Sequence, residues 1–379
     1  MIPEPIRLAQ RYRPTRHARL LAAVAALVLA VLAVFLVGME WSPTDAFIYL
    51  LAGQRLNAGH YVYSLVAGDY PVGLNPPYWT APLLSPPLIA VLWRPLAALG
   101  SAGLIIGWLA TGAAFLAAVT ILVWRNPVVA GAAVVALTVP IGWQLGLGNL
   151  NGLLLLGLVA IWSLRQRPAV SGAVLAGLVA LKVVPIVLLW WLVTQRAWRA
   201  VGAFAVASAV LIVLVMLGAG PLSLLDYAAV AGHTATEGTN ALSLAGLARS
   251  AGVDPSLSAL IPWCVVLIGA ALIWHLRARP GVSFSVAVVI VVFGSPVVNI
   301  YWYALLLAAL APYPADNSAG EEGELEEGPT EQHAEPPPPR SASPTPAFGV
   351  TLHATDAHPT KPSPSGVCFA PSNEASPER

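Results

Sequence analysis

The sequence predicts an all-α polytopic membrane protein, and three observations carry that prediction. Of its 379 residues, 57% are hydrophobic and only 10% are charged, with a mean hydropathy of +0.74; a soluble domain carries about 25% charged residues. Several apolar runs reach the roughly 18–20 residues that a helix needs to cross a bilayer core. The runs are also continuous, which excludes a β-barrel with its short alternating segments.

The elements follow in chain order. Residues 7–19 (RLAQRYRPTRHAR) carry five arginines ahead of a first span at about 20–39. That N-terminus is too basic, and the run too long, for an ordinary cleaved signal peptide, so the run is read as an anchor. The positive-inside rule places residues 1–19 in the cytoplasm and 40–80 outside. The outer loop is expected to hold two short amphipathic helices, at 44–57 and 60–68, and a Pro-rich stretch, NPPYWTAPLLSPP. Arg94-Pro95 suggests a re-entrant or surface-lying helix before a span at 101–124. The later basic clusters are Arg125, Arg165/Arg167, Arg196/Arg199 and Arg277/Arg279. Placing them all inside gives a span at 127–145, an outer turn at GLGNLN and a returning span at 151–164.

Residues 169–195 have basic flanks on both sides. One tilted span fits them, and so does a hairpin of two short helices broken at KVVP (182–185). Broken backbone at membrane depth needs protein or a wet cavity around it, so the hairpin predicts a cavity near Lys182. Spans at 199–217 and 257–276 enclose a second outer loop, 218–256. The run 282–312 exceeds one span, and SPVVN should break it. About ten membrane segments result, in a domain covering 20–312. From 313 on, the chain is Pro/Glu-rich and poor in large apolar residues, the composition of a disordered tail.

The acids and amides that survive in this apolar body are the candidates for chemistry. Of 18 acidic residues, 11 follow position 312; the body keeps Glu4, Glu40, Asp45, Asp69, Asp226, Glu237 and Asp254. Asp45 opens the first outer loop. It reads either as a general base for an acceptor hydroxyl or as a helix cap beside Ser42 and Thr44. Lys182 interrupts a long apolar run, next to the helix breaker Pro185. It reads as a cation facing a cavity and holding a phosphate, or as one that snorkels to the interface. Asn149 and Asn151 offer amides to sugar hydroxyls or simply form a turn. His60, Tyr61 and Tyr63 form a sugar platform or an interfacial aromatic belt. His233, Glu237 and Asn240 share the second outer loop, where His233 is a candidate for proton transfer or phosphate binding. The two cysteines, Cys264 and Cys368, support neither a disulfide framework nor a Cys-based metal site. HExxH, Walker and dinucleotide patterns are missing. No metal, cofactor or nucleic-acid partner is therefore expected.

In order along the chain, the segments TDAFIYLLAGQRLNAGHYVY, NPPYWTAPLLSPPLIAVLWRPLAAL, GNLNGLLLLGLVAIWSLRQRPAVSGAVLAGLVALKVVPIVLLWWLVTQRAWRA, NALSLAGLAR and SPVVNIYWY resemble glycosyltransferase family 87 of the GT-C superfamily. These are polyprenyl-phosphate-mannose-dependent α-mannosyltransferases. The resemblance covers roughly residues 40–312 and rests on the series rather than on any one motif. Two departures stand out: Asn149 replaces the family's Gln, and the Trp usual after S-P is replaced, with Asn299 and Trp302 nearby. Family members also continue with further spans where this chain turns into its tail, which reads as a truncation, a shifted frame or a natural tail.

The resemblance implies a GT-C-type bundle with its site on the outer face. Asp45 would be the catalytic base and Lys182 the donor-phosphate ligand. Tyr49, His60, Tyr61, Asn149, Asn151, His233 and Asn240 would hold sugars. The donor would be a polyprenyl-phosphate sugar, the acceptor a glycolipid or polysaccharide, and the chemistry inverting. Two rivals remain at this stage: a transporter or flippase of a lipid-linked sugar, and an inactive truncated homologue.

Overall fold

A computed structural model describes residues 43–63, 83–237 and 242–314, together with Leu20 and Val24 in helix. The helix expected at 60–68 is not helical over its described residues, 60–63, which form coil and turn; its remainder, the expected first span apart from Leu20 and Val24, most of the Pro-rich stretch and the tail from 315 lie outside the described residues. Every regular element described is helical: α1 Thr44–Asn57, α2 Leu88–Ala97, α3 Ser101–Arg125, α4 Pro127–Ala136, α5 Thr138–Leu147, α6 Asn151–Ser163, α7 Pro168–Leu181, α8 Val187–Thr194, α9 Trp198–Ala219, α10 Ser223–Glu237, α11 Leu244–Ser250, α12 Pro255–His275 and α13 Pro280–Phe293. A short 3₁₀ turn, Val184–Ile186, precedes α8, and a longer 3₁₀ segment, Ile300–Leu310, follows α13. Among the described residues, α3, α9 and α12 are long and apolar enough to cross a membrane, and α4 with α5 makes a fourth if that bent pair is one span.

The sequence explains where the elements start and stop. Asn126 Oδ1 accepts from Val129 N at 3.2 Å and caps α4 ahead of Pro127. Asp254 Oδ1 accepts from Ser256 N at 2.8 Å and caps α12, so this body acid has a structural task. The single span expected over 127–145 is instead two helices bent by 72° at Leu137. Pro140, in the first turn of α5, has no N–H to continue the ladder from α4, so the chain turns there. The interruption at KVVP is present: α7 ends at Leu181 and Lys182 is extended (φ −158°, ψ 124°). The break at SPVVN is present as well, between α13 and the 3₁₀ segment.

Helix α1 has the expected bounds but is not amphipathic. Its buried positions include the consecutive run Tyr49–Gly53, because α2, α3 and α5 all pack on it. Two hydrophobic clusters result. One gathers Phe115, Leu158, Trp191, Phe284 and the 3₁₀ residues Tyr301 and Trp302. The other gathers Tyr49, Trp93, Leu150 and Leu181 around α1 and α2. The seam between them lies where α1, α6 and α7 have their inner ends.

Glycine allows the approach at that seam. Gly148 is left-handed (φ +66°), and a Cβ on it would lie 2.8 Å from Ala46 Cβ. A Cβ on Gly152 would lie 2.1 Å from the Thr111 carbonyl oxygen. Gly148→Ala is therefore expected to cost about 2 kcal/mol in backbone strain alone, with the Ala46 contact adding to it. A thermal melt of the purified protein should show a drop of several degrees.

The basic turns meet in pairs. Arg125 Nη1 donates to Ser163 Oγ (3.0 Å), and Gln195 Nε2 donates to the Arg277 carbonyl (3.2 Å). Ser163 ends α6, whose other end begins at Asn151. At 1.5 Å per residue the two ends stand about 20 Å apart.

Candidate functional site

Asp45 is the second residue of α1, and Pro43, without any side-chain bond, occupies the cap position. The cap reading of Asp45 thus has no hydrogen bond behind it. The carboxylate instead leaves its helix and accepts from Asn149 Nδ2 at 2.5 Å. The helix N-terminus behind it favours the negative charge.

Asn149 is 3% exposed, and its amide is used at both ends. Nδ2 also reaches the Tyr49 hydroxyl at 3.5 Å, and Oδ1 accepts from the Asn151 backbone N–H at 2.9 Å. Asn151, fully buried, accepts with Oδ1 from Lys182 Nζ at 3.2 Å. Carboxylate and ammonium are therefore joined by a bridge of two asparagines that one tight turn supplies. The αL glycine before it and the start of α6 after it fix the geometry of that turn. Lys182 can reach the bridge because the extended break between α7 and α8 releases its side chain from the helical surface.

A second set of partners arrives from the far end of the chain. Lys182 Nζ stands 3.8 Å from the centroid of the Trp302 ring, within cation–π range. The Tyr301 hydroxyl lies close enough to Asp45 and to Trp302 to act on both electrostatically, and Asn299 Nδ2 donates to it at 2.8 Å. Tyr49 completes the wall, edge-on to Trp93 with centroids 5.6 Å apart. Burial pushes the Asp45 carboxyl above the ordinary carboxylate range, against the opposing pull of the Asn149 bond, the Lys182 charge and the Tyr301 hydroxyl.

Five of the expected site residues thus converge: Asp45, Tyr49, Asn149, Asn151 and Lys182. His60 and Tyr61 lie past the opposite end of α1, some 20 Å away along a 14-residue helix, and both face solvent. His233 lies on α10 with its side chain outside the described residues, and so does all of Asn240. Sequence reasoning passed over Tyr301 as a site residue. It also missed Gln144, which is 1% exposed and donates through Nε2 to the Asn149 carbonyl at 2.8 Å. Two buried atoms at the same place have no partner, the acceptor Gln144 Oε1 and the donor Asn151 Nδ2, the latter beside the Lys182 ammonium that Asn151 Oδ1 holds. Two donors side by side in a dry setting suit an oxyanion.

No curated protein and no solved structure matches the chain. Residues 84–311, more than half of the chain, match the family model of glycosyltransferase family 87. That span contains Asn149, Asn151, Lys182, Tyr301 and Trp302, and begins after Asp45. The chain belongs to glycosyltransferase family 87 and is a membrane glycosyltransferase.

Proposed function

We propose that the enzyme moves a hexose, mannose by family resemblance, from a polyprenyl-phosphate donor to a hydroxyl of a glycolipid or glycan. The observation that carries this reading is the bridge Asp45–Asn149–Asn151–Lys182. It holds an acid and a cation near one another without letting them collapse into an ion pair. Asp45 takes the proton of the acceptor hydroxyl as its oxygen attacks the anomeric carbon. The bond from that carbon to the phosphate oxygen breaks, and the electron pair leaves on the polyprenyl phosphate. Lys182 and Asn151 Nδ2 face that developing charge, where fixed donors act most strongly. Attack opposite the leaving group inverts the anomeric centre, so a β-linked donor gives an α-glycoside. Balance needs only the donor, the acceptor and a base.

The placement of the site fits the outer face. Arg125 and Ser163 lie about 20 Å from Asn151 along α6, and the positive-inside rule assigns arginine-rich turns to the cytoplasm. The Asp45 end is then external.

The test is transfer of label from radiolabelled polyprenyl-phosphate mannose to membrane glycolipid, with protein reconstituted in lipid. Labelled glycolipid supports the reading; donor that crosses the bilayer with no new glycosidic bond sinks it. The Asp45 carboxyl must be ionised to accept a proton, and burial raises its pKa. Activity should therefore fall as pH drops through that raised value, at a higher pH than an exposed aspartate would give. A profile of kcat/KM against pH measures the limb.

A further inference from the structure

The asparagine bridge is only half of what joins Asp45 to Lys182. From Asp45 the contacts run to the Tyr301 hydroxyl, from Tyr301 to Trp302, and from the Trp302 ring to Lys182. Together the two bridges close a ring: Asp45, Asn149, Asn151, Lys182, Trp302, Tyr301. The second bridge comes from consecutive residues at the start of the 3₁₀ segment. In a 3₁₀ winding adjacent side chains diverge by about 120°, so one residue reaches the acid and the next reaches the cation. Asn299, extended just before the segment (φ −94°, ψ 162°), donates to Tyr301 and sets its hydroxyl. With Asn299 Nδ2 donating to it, the Tyr301 hydroxyl is left with its single hydrogen free for Asp45. Both aromatic residues are buried, Tyr301 at 8% and Trp302 at 4% exposure.

We propose that Tyr301 and Trp302 are positioning residues of the transfer reaction, Tyr301 orienting the Asp45 carboxylate and Trp302 the Lys182 ammonium. This rests on the transferase reading above. The lysine has three N–H donors. Asn151 takes one and the indole face draws the charge, which leaves a donor for a phosphate oxygen. Removing the ring frees the ammonium to rotate out of that direction. The charged or titratable groups acting on Asp45 are Lys182, Tyr301 and, on its own helix, Tyr49.

The experiment uses the full chain reconstituted in lipid, with Tyr301→Phe, Trp302→Leu and Trp302→Phe. Tyr301→Phe should lower kcat by about 10- to 100-fold and leave the donor KM within about twofold. It should also move the acidic limb of the pH–rate profile upward, because the carboxylate has lost a donor. Trp302→Leu should raise the donor KM by about tenfold, and Trp302→Phe, which keeps a π face, should recover most of that. A Tyr301→Phe enzyme whose acidic limb stays in place overturns the role of Tyr301. A Trp302→Phe enzyme no better than Trp302→Leu overturns that of Trp302.

A readout independent of turnover separates this proposal from the one it rests on. Melting temperatures of the Tyr301→Phe/Asp45→Ala and Trp302→Leu/Lys182→Met double-mutant cycles, in which each single change removes the contact tested, should be non-additive by about 2 °C. Additive melts overturn the aromatic bridge even if Asp45→Asn is inactive. Transfer that survives Asp45→Asn instead overturns the assignment of the base.

Discussion

Asp45→Asn is expected to lower sugar transfer by about 10²- to 10⁴-fold while the protein stays folded. The substitution keeps size and removes the capacity to take a proton. Its effect on structure should be small, because an asparagine side-chain oxygen can still accept from Asn149 Nδ2, the bond that Asp45 makes at 2.5 Å. It can also face the nearby Tyr301 hydroxyl as the carboxylate does. Burial opposes the charge on Asp45, so deleting that charge should leave the melting temperature level or slightly higher. Donor binding should survive, since the phosphate is assigned to the other end of the bridge. Single-turnover assays with radiolabelled donor, paired with a donor-binding measurement, separate the steps. Retained binding with lost transfer is the expected pair. Equal transfer by both proteins would place the base elsewhere and leave Asp45 as an acid at a helix N-terminus only.

Why this aspartate was legible and others were not is a matter of competing roles. Asp254 looks equally isolated in sequence, yet it caps α12. Asp45 sits two residues from a proline that already closes the helix start, so its side chain was free for a distant partner. Asn149 was locally ambiguous, since a Gly-Asn turn needs no ligand to explain it. Only the approach of α1 across Gly148 gives its amide a carboxylate to hold. The break at Lys182 was readable because a lysine and a proline three residues apart cannot both continue an apolar helix comfortably. Tyr301 and Trp302 were not readable as site residues. They come from a segment more than 250 residues after Asp45, and an aromatic pair near a span end has the ordinary interfacial explanation. The bend at Leu137 was within reach of the sequence, because Pro140 stands in the middle of the segment read as one span. The same limit applies to His60 and Tyr61. Residue types and spacing suggested a sugar platform, but a straight 14-residue helix carries them to the far end from Asp45.

Lys182→Met should be the second severe change, with a different signature. Methionine fills much the same volume and stays compatible with the Trp302 face, so packing around the break is largely kept. What is lost is the cation at the donor phosphate, worth about 10²- to 10³-fold in kcat where fixed charge meets a developing oxyanion. Charge on the phosphate is present in the ground state and grows as the sugar departs, so donor KM should rise while kcat falls. Asp45→Asn, by contrast, should touch kcat alone. Lys182→Arg separates charge from shape. A planar guanidinium cannot place one donor on Asn151 Oδ1 while stacking on Trp302 at the same centroid distance, so it should restore donor affinity more than turnover. Isothermal binding of the donor, with steady-state kinetics on the three variants, checks the ordering. If Lys182→Met left both affinity and turnover within threefold of the wild type, the lysine would be a buried partner of Trp302 and Asn151 and the phosphate site would lie elsewhere. The contrast between the two charge deletions therefore tests the division of labour across the asparagine bridge, with one end handling the proton and the other the leaving group.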